Sequence, residues 1–185
     1  MKMRPGAVRM IRGMVYMAVM AAGVVAFLAA LNWFPSLVRP DLARRYATVE
    51  DAMRAAGYHG ILVPKYFPEG LSWPPAFIFA QKRPFRAVVL EFTEPKTMRT
   101  ALIVVQSSLK GGAAEAEKLQ RIRFARIREQ TGYRLKGRDA VLQVGICGDG
   151  RPCSRIIWKE GGFYSSVLYM SYPVELIRIA DSMVR

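Results

Sequence analysis

The longest apolar segment of the chain lies close to the N-terminus, where residues 13–38 carry no charged side chain. An α-helix of about 20 apolar residues spans the roughly 30 Å hydrocarbon core of a bilayer. The segment has no polar face at helical spacing, which argues against a helix buried in a globular core. We therefore expect a transmembrane helix over residues 13–34. A cleaved signal peptide is the alternative, although its small-residue cleavage site at Val24–Ala26 would fall inside the apolar run.

The charges around this run predict its orientation. Cationic flanks stay in the cytoplasm. Four cations precede the run, and all acidic residues follow residue 40. The cations are Lys2, Arg4, Arg9 and Arg12. We expect a cytoplasmic basic tail over residues 1–12, a linker over residues 35–47 and an extracytoplasmic domain over residues 48–185. The protein would then cross a bacterial cytoplasmic membrane once, with its domain in the periplasm or at the cell exterior.

Two features of the apolar run predict contacts within the bilayer. Aromatic rings favour the headgroup layer, so we expect Tyr16, Trp33 and Phe34 to be membrane-interface anchors. Small side chains allow a second helix to approach closely. The small residues that form such a helix-packing face are Ala18, Ala22, Ala26 and Ala29. This face predicts contact with another membrane helix.

After residue 47, short apolar segments separated by turn residues predict an α+β domain with an antiparallel sheet. A short helix is expected first, with Thr48 as its N-cap, Val49 and Ala52 on its apolar stripe, and Gly57 as its C-cap. Strands are predicted where Val, Ile, Leu and aromatic residues concentrate. These segments are Ala76–Gln81, Phe85–Thr93, Thr100–Ser108, Tyr133–Lys136, Ala140–Ile146, Arg155–Lys159 and Phe163–Met170.

The remaining patterns are more local. Arg121–Arg128 fits both a strand and a helix, because its apolar residues satisfy both spacings. Gly161 and Gly162 predict a hairpin turn. Pro173 begins a final helix, whose predicted sheet-packing stripe is Leu176, Ile177, Ala180 and Val184. The acidic Glu91 predicts that one face of its strand contacts water.

The charge of the domain predicts an anionic partner. Residues 39–185 contain 24 Lys and Arg against 14 Asp and Glu. A basic surface next to a bilayer fits anionic headgroups or an acidic membrane protein, whereas nucleic acid is not expected outside the cytoplasm. The cations expected to form this face are Arg121, Arg123, Arg126, Arg128, Arg134, Lys136 and Arg138. A solvated polar face is the other interpretation of the same stretch.

Cys147 and Cys153 predict a disulfide, because an oxidising compartment favours the bridge. The five residues between them include two glycines and a proline, which allow the chain to bring the Cα atoms to the required ~5.5 Å. Free thiols are the alternative. A redox-active C-x-x-C spacing is absent. A metal site would need two further ligands, and His59 is the only histidine of the chain.

Four segments of the domain occur in an order that resembles a known protein family. They are Val63–Leu71, Leu135–Leu142, Trp158–Tyr164 and Pro173–Ser182. Together they resemble an uncharacterised extracytoplasmic β-rich domain family of bacterial single-span, anti-sigma-factor-like membrane proteins, over about residues 48–184. The resemblance implies a β-rich fold and a binding or regulatory role, and it transfers no catalytic residues.

The sequence shows no catalytic constellation. Ser165 and Ser166 lie within a predicted strand, outside a nucleophile-elbow setting, and His59 lies in a predicted turn. Glu91 and Glu94 fit a solvated strand end. We therefore expect a non-enzymatic protein with no cofactor and no small-molecule substrate.

The favoured hypothesis is an accessory or interaction protein that contacts membrane lipid and other subunits of a membrane complex. An envelope sensor of the anti-sigma-like kind is one alternative, and the short basic tail over residues 1–12 argues against it. A carrier of lipid or of a small ligand is the second alternative.

Overall fold

The computed structural model describes residues 16, 17, 19–25, 43–109, 115 and 117–184. The chain divides into two units between Leu42 and Ala43. In the first unit, the described residues are helical and exposed, and they include Tyr16 and Ala22 from the predicted anchors and packing face. The other predicted anchors and packing residues lie outside the described residues; they are Ala18, Ala26, Ala29, Trp33 and Phe34. Among the residues that are described, no helix has the length and apolar character needed to cross a membrane.

Within residues 43–109 and 117–184, eight strands form one antiparallel sheet, as expected for an α+β domain. The strands are β1 Arg44–Tyr46, β2 Phe77–Gln81, β3 Ala87–Thr93, β4 Thr100–Ser108, β5 Phe124–Leu135, β6 Arg138–Cys147, β7 Pro152–Glu160 and β8 Phe163–Tyr169. Their order in the sheet is β1-β2-β3-β4-β8-β7-β6-β5. Two meanders of four consecutive strands therefore meet where β4 pairs with β8. This order leaves β1 and β5 at the two edges.

At the first edge, the sheet begins earlier than the sequence predicts. Residues 44–46 fall in the linker expected over residues 35–47, yet they pair with β2 through contacts such as Arg45 with Phe79. The guanidinium of Arg45 also lies 4.7 Å from the centre of the Phe77 ring. The pairing is between distant parts of the chain, so the charged local sequence gave no strand signal.

At the opposite edge, β5 is longer than predicted. The ambiguous segment Arg121–Arg128 and the predicted strand Tyr133–Lys136 contribute to one strand, Phe124–Leu135, because β6 pairs along its whole length. Lys136 is not part of the strand. It lies in the turn to β6 with φ 46°, and Gly137 follows with φ 83°. Positive φ at both central residues is the geometry of a tight hairpin turn.

The helices Val49–Ala56 and Pro173–Met183 form where the sequence predicts. In α1, Val49–Ala56, the Thr48 hydroxyl accepts a hydrogen bond of 3.1 Å from the backbone N–H of Asp51. Gly57 ends this helix in the left-handed conformation, with φ 73°. In α2, Pro173–Met183, the buried residues are Leu176, Ile179, Ala180 and Met183. These residues correct the predicted stripe. Ile177 is only half-buried, and the buried residues of the helix instead follow the i, i+3, i+4, i+7 spacing of one helix face.

Each face of the sheet carries an apolar cluster. On the first, which we name the helix face, α1 and α2 pack on residues that include Leu90, Val104 and Trp158. On the second, which we name the crossover face, Ile103, Val105 and Leu168 lie beneath apolar residues of the connection from β4 to β5. These covering residues are Leu119 and Ile122, followed by Phe124 at the start of β5. The expectation that Glu91 marks a wet face is wrong, because this connection covers it and Glu91 is fully buried.

The segment between α1 and β2 crosses the helix face and is fixed by side chains from distant elements. The Gln106 amide accepts a 2.8 Å hydrogen bond from the Leu62 N–H and donates to the Leu62 carbonyl. The Ser182 hydroxyl accepts hydrogen bonds from the N–H groups of Lys65 at 3.0 Å and Tyr66 at 3.1 Å. Tyr66 in turn donates to Glu175 on α2. The proline-rich segment and α2 therefore stabilise each other.

Candidate functional site

The seven cations of the predicted basic face do not form one surface. The sheet order places them in three groups: the connection to β5, the exposed length of β5, and the β5–β6 hairpin end. The first group is Arg121 and Arg123, the second is Arg126 and Arg128, and the third is Arg134, Lys136 and Arg138. Each group has a different set of internal contacts.

Arg121 is used inside the domain. Its Nε lies 3.8 Å from Oε2 of the buried Glu91. Its guanidinium also lies 4.8 Å from the ring centre of Phe77 and 5.1 Å from that of Phe79. A cation between a buried carboxylate and two aromatic faces is held by both interactions. Arg121 therefore attaches the connection to the sheet.

Arg123 is also used inside the domain. Its guanidinium donates hydrogen bonds to the carbonyl oxygens of Lys118, at 2.6 Å, and Gln120, at 3.4 Å. Its own carbonyl accepts a 2.8 Å hydrogen bond from the N–H of Gly148, next to the end of β6. These contacts fold the connection upon itself just before β5 begins, and they reduce the availability of Arg123 to a partner.

A second ion pair of opposite polarity joins the same connection to the sheet. Arg155 on β7 is buried, and its Nη1 lies 2.7 Å from Oε1 of Glu117 in the connection. The Arg155 guanidinium also donates to the Gln143 carbonyl oxygen at 2.9 and 2.7 Å and lies 5.2 Å from the ring centre of Phe124. The buried guanidinium is thus paired and hydrogen-bonded, as a buried charge requires.

The strand register places the two buried charges on one line across the crossover face. Glu91 pairs with Ile103, Ile103 with Leu168, and Leu168 with Arg155. A carboxylate and a guanidinium are therefore separated by two apolar residues along this line. The connection places Arg121 at the carboxylate and Glu117 at the guanidinium. This complementarity between sheet and connection is invisible in the sequence, because each pair joins residues at least 30 positions apart.

Burial sets the acid–base behaviour of Glu91. The pKa of its carboxyl is raised above the usual value by burial, and the nearby Arg121 opposes this shift only in part. Neither carboxylate oxygen has a hydrogen-bond partner of normal geometry among the described residues. The charged form of Glu91 is therefore poorly solvated in the fold.

The second group of cations is exposed on edge strand β5. Residues 125–132 are exposed at every position, which includes both Arg126 and Arg128. Within the described part of the chain, neither side chain forms an ion pair or a hydrogen bond. Register shifts between Phe124 and Arg126 and between Ile127 and Glu129 interrupt the pairing with β6. Such bulges and charges discourage association of exposed strand edges.

The third group lies where β5 turns into β6. Arg134 lies 3.4 Å from Asp139, and both side chains are largely exposed. Arg138 pairs with Glu160 of β7 at 2.7 Å, and Glu160 also accepts a 3.2 Å hydrogen bond from the Trp158 indole. Arg138 therefore has a structural contact, whereas the exposed Lys136 extends from the turn itself.

The predicted disulfide is confirmed. Cys147 and Cys153 are bonded, with Cα atoms 5.8 Å apart, so the alternative of free thiols is wrong. The loop that they close is fixed by Arg151, which bonds to Asp149 at 2.7 Å and to the Thr100 carbonyl at 2.8 Å. Burial alone would raise the pKa of Asp149, but the hydrogen bonds from Arg151 outweigh it and hold that pKa below its usual value. The disulfide and the contacts of Arg151 together fix the loop between β6 and β7.

Among the described residues, no group of three or more His, Cys, Asp or Glu side chains could hold a metal ion. The exposed His59 instead lies at the rim of a cavity on the helix face. Comparison of the chain with protein-family models, with curated proteins and with solved structures finds no match.

Proposed function

We propose that this protein is a non-enzymatic, membrane-anchored interaction protein that contacts an acidic surface of a membrane-protein partner through β5. The observation that carries the proposal is the exposure of Arg126 and Arg128 on an edge strand, without an ion pair or hydrogen bond among the described residues. Charged groups at a protein surface guide encounter with a complementary partner and fix the register of binding. Arg121 and Arg123 are excluded from this contact because they hold the connection in place.

The geometry of β5 favours a partner of opposite charge over a second copy of the same strand. Arg126, Arg128 and Arg134 are opposed along this strand by the single acid Glu129. Two copies of β5 would bring like charges together, which opposes self-association. An acidic partner would instead gain ion pairs at a site whose cations are already exposed and free to reorient.

The described helical residues of the first unit support the membrane-anchored part of the proposal. Their apolar side chains are exposed, with Met17 at 76%, Met20 at 71% and Val25 at 67% of full exposure. Apolar surface of this kind is stabilised by lipid or by another helix. A domain tethered in this way would meet its partner at the membrane surface, where local concentration strengthens a weak electrostatic contact.

The test is charge reversal with a matched control. The full chain carrying Arg126→Glu and Arg128→Glu is compared with one carrying Lys96→Glu and Arg99→Glu in the β3–β4 turn. The control cations are also exposed and also lack an ion pair among the described residues. Both variants change the charge equally. Each is purified from its native membranes in mild detergent, and associated proteins are identified by mass spectrometry.

We expect the β5 variant to lose a stoichiometric protein partner that the control variant retains. Retention of the partner by both variants, or its equal loss from both, would overturn the assignment to β5. Flotation with vesicles of anionic and of zwitterionic lipid separates the two sources of negative charge. Loss of binding only to anionic vesicles would assign the surface to lipid headgroups and contradict the protein partner.

A further inference from the structure

The chain enters the domain through β1, at one end of the sheet. Arg44, the first residue of β1, pairs with Ala80, which is next to the last residue of β2. The turn from β2 to β3 follows at once, so it lies beside the point where the chain enters. We name residues 43–45 and 81–87 together the entry end.

The entry end is cationic. It contains five Lys and Arg residues and no Asp or Glu, and all five cations are exposed. They are Arg44, Arg45, Lys82, Arg83 and Arg86. At the other end of β3, the turn over residues 94–99 contains Glu94 together with Lys96 and Arg99. A surface with charge of one sign attracts counter-charged partners more strongly than a mixed surface does.

Three of the five cations have no contact inside the domain. The side chains of Arg44, Lys82 and Arg83 form no ion pair or hydrogen bond within the part of the chain that the structure describes. The turn that carries two of them is nevertheless fixed. The Gln81 amide donates a 3.1 Å hydrogen bond to the Phe85 carbonyl, and Phe85 packs in the crossover-face cluster. A fixed backbone therefore presents cations that are available to a partner.

An exposed apolar side chain lies close to these cations. The N–H of Ser108 donates a 2.9 Å hydrogen bond to the carbonyl of Arg86, which brings the end of β4 to the entry end. Leu109 follows, and its side chain is 47% exposed. Cations beside an exposed apolar group favour the surface of an anionic membrane, because the charges meet the headgroups while the apolar group enters the boundary with the acyl chains.

We infer that the entry end binds the anionic headgroups of the membrane that anchors the chain. Arg44, Lys82 and Arg83 contact the lipid phosphates, and Leu109 enters the interface. The inference rests on the membrane-anchored part of the proposed function. Nine residues, 35–43, separate the expected transmembrane segment from Arg44. Because nine residues extend at most about 32 Å, anchoring keeps the entry end near the headgroups, where a weak electrostatic attraction is effective.

This surface is distinct from the one proposed for the protein partner. The entry end includes edge strand β1, whereas Arg126 and Arg128 lie on β5 at the other edge of the sheet. Contact of the entry end with lipid therefore leaves β5 available, and the two contacts are tested independently.

The test measures how close two turns lie to the headgroups. The full chain is reconstituted without a partner into nanodiscs of phosphatidylglycerol or of phosphatidylcholine, each doped with a lipid that carries a nitroxide on its headgroup. NMR then gives the paramagnetic relaxation enhancement of the backbone amides in residues 82–86 and 96–99. In phosphatidylglycerol we expect an enhancement at least about fivefold greater in residues 82–86, since β3 separates the two turns by about 20 Å. In phosphatidylcholine we expect this preference to be much smaller.

Charge reversal assigns the effect to the cations of the entry end. Lys82→Glu with Arg83→Glu is expected to give, in phosphatidylglycerol, the weak preference seen in phosphatidylcholine. The matched control is Lys96→Glu with Arg99→Glu, which changes the charge equally at the other end of β3 and is expected to keep the wild-type pattern. Salt at 1 M reduces the Debye length to about 3 Å, so it should weaken the preference of the wild type as charge reversal does.

Two results with the wild type alone would overturn the inference, so it stays testable whether or not a variant folds. Equal enhancement of the two turns in phosphatidylglycerol would mean that the entry end is not the end that meets the membrane. The same pattern in both lipids would mean that headgroup charge has no part in the contact. A chain that does not enter the nanodiscs would contradict the membrane anchor and this inference together, whereas an incorporated chain without the expected pattern contradicts only the inference.

Discussion

The Arg121 guanidinium lies 3.8 Å from the carboxylate of Glu91, which is fully buried on the crossover face. No hydrogen bond of normal geometry reaches the carboxylate among the described residues, and Arg121 offsets its desolvation only in part. Burial raises the pKa of Glu91 accordingly. The pair therefore fixes the position of the connection to β5, while the charged acid is itself a source of instability.

We predict that Glu91→Gln increases the stability of the domain at pH 7. The raised pKa means that protonated Glu91 contributes stability below its usual pKa of 4.5, and that this contribution is lost as pH rises through the folded-state value. Glutamine stays neutral at every pH, so the variant keeps this contribution to stability as the pH rises. We therefore expect the Glu91→Gln variant to unfold at a higher urea concentration than the wild type at pH 7, with the difference shrinking towards pH 4. Urea unfolding of both proteins between pH 4 and pH 8 measures the difference.

The exposed Glu94 provides a control in the same part of the chain. Glu94→Gln is expected to change the stability by less than about 0.5 kcal/mol, with the pH dependence of the wild type retained. A Glu91→Gln protein that is less stable than the wild type at pH 7 would contradict the assignment, since it would mean that the ion pair outweighs the desolvation.

In the ion pair between Arg155 and Glu117 the buried partner is the cation, and we predict that neutralising the acid destabilises the domain. Arg155 is buried and Glu117 is partly exposed, so removing the Glu117 charge leaves a buried cation without its anion. We predict that Glu117→Gln destabilises the domain by about 2 kcal/mol, a value between the ~0–1 kcal/mol of an exposed pair and the ~3–5 kcal/mol of a fully buried one. Hydrogen exchange should become faster in residues 117–123. Glu115→Gln is the control, because Glu115 is exposed and pairs only with the exposed Lys118 among the described residues.

The outcome at Glu117 distinguishes a structural ion pair from a solvated one. If Glu117→Gln and Glu115→Gln have equal effects on urea unfolding, Arg155 is sufficiently satisfied by Gln143 alone. The two hydrogen bonds to Gln143, at 2.9 and 2.7 Å, limit the loss, because they remain in the variant.

The disulfide leads to a prediction about the β6–β7 loop. A cross-link that closes a loop of this size is expected to contribute about 2 kcal/mol through the unfolded state. We predict that Cys147→Ala with Cys153→Ala lowers the free energy of unfolding by at least that amount, because both buried sulfurs also pack in the crossover-face cluster. Dithiothreitol should lower the stability of the wild type and leave the variant unchanged. A variant that still responds to dithiothreitol would show that the reagent acts elsewhere.

Local pattern and long-range pairing explain which features the sequence predicts. The caps of α1 and the Gly161–Gly162 turn depend on neighbours within a few positions, and both are confirmed. Strand β1 depends on β2, more than 30 positions away, and no local pattern marks it. The burial of Glu91 depends on Arg121 in the same way. A charged residue in an apolar segment predicts a wet face unless a distant segment covers it.

The division of the basic face has the same origin. The sequence presents Arg121 to Arg138 as one cationic stretch, because charge is counted along the chain. The position of β5 at the sheet edge exposes Arg126 and Arg128, whereas the preceding connection crosses an apolar face and places Arg121 against Glu91 and the Phe77 ring. Only the strand order, which no local pattern specifies, separates the cations that stabilise the fold from those available to a partner.

The last prediction concerns the bulge that shapes β5. Gly145 on β6 lies opposite Ile127, where a Cβ atom would collide with the carbonyl oxygen of Arg126. We predict that Gly145→Ala destabilises the domain by about 2 kcal/mol or more, since either β5 or β6 must shift to make room. Gly132→Ala is the matched control in the same hairpin, because a Cβ there meets no atom within 4 Å. Thermal unfolding of both variants measures the difference.

The same pair of variants connects the fold to the proposed function. If the bulge sets the positions of Arg126 and Arg128, Gly145→Ala should weaken partner binding at temperatures where the domain is still folded. The Gly132→Ala variant should bind the partner normally, because its added methyl group leaves Arg126 and Arg128 in place. Equal stability of the two variants would show that β5 adapts to the added methyl group without cost. The bulge would then be an adjustable irregularity of the edge strand, and it would not position Arg126 and Arg128.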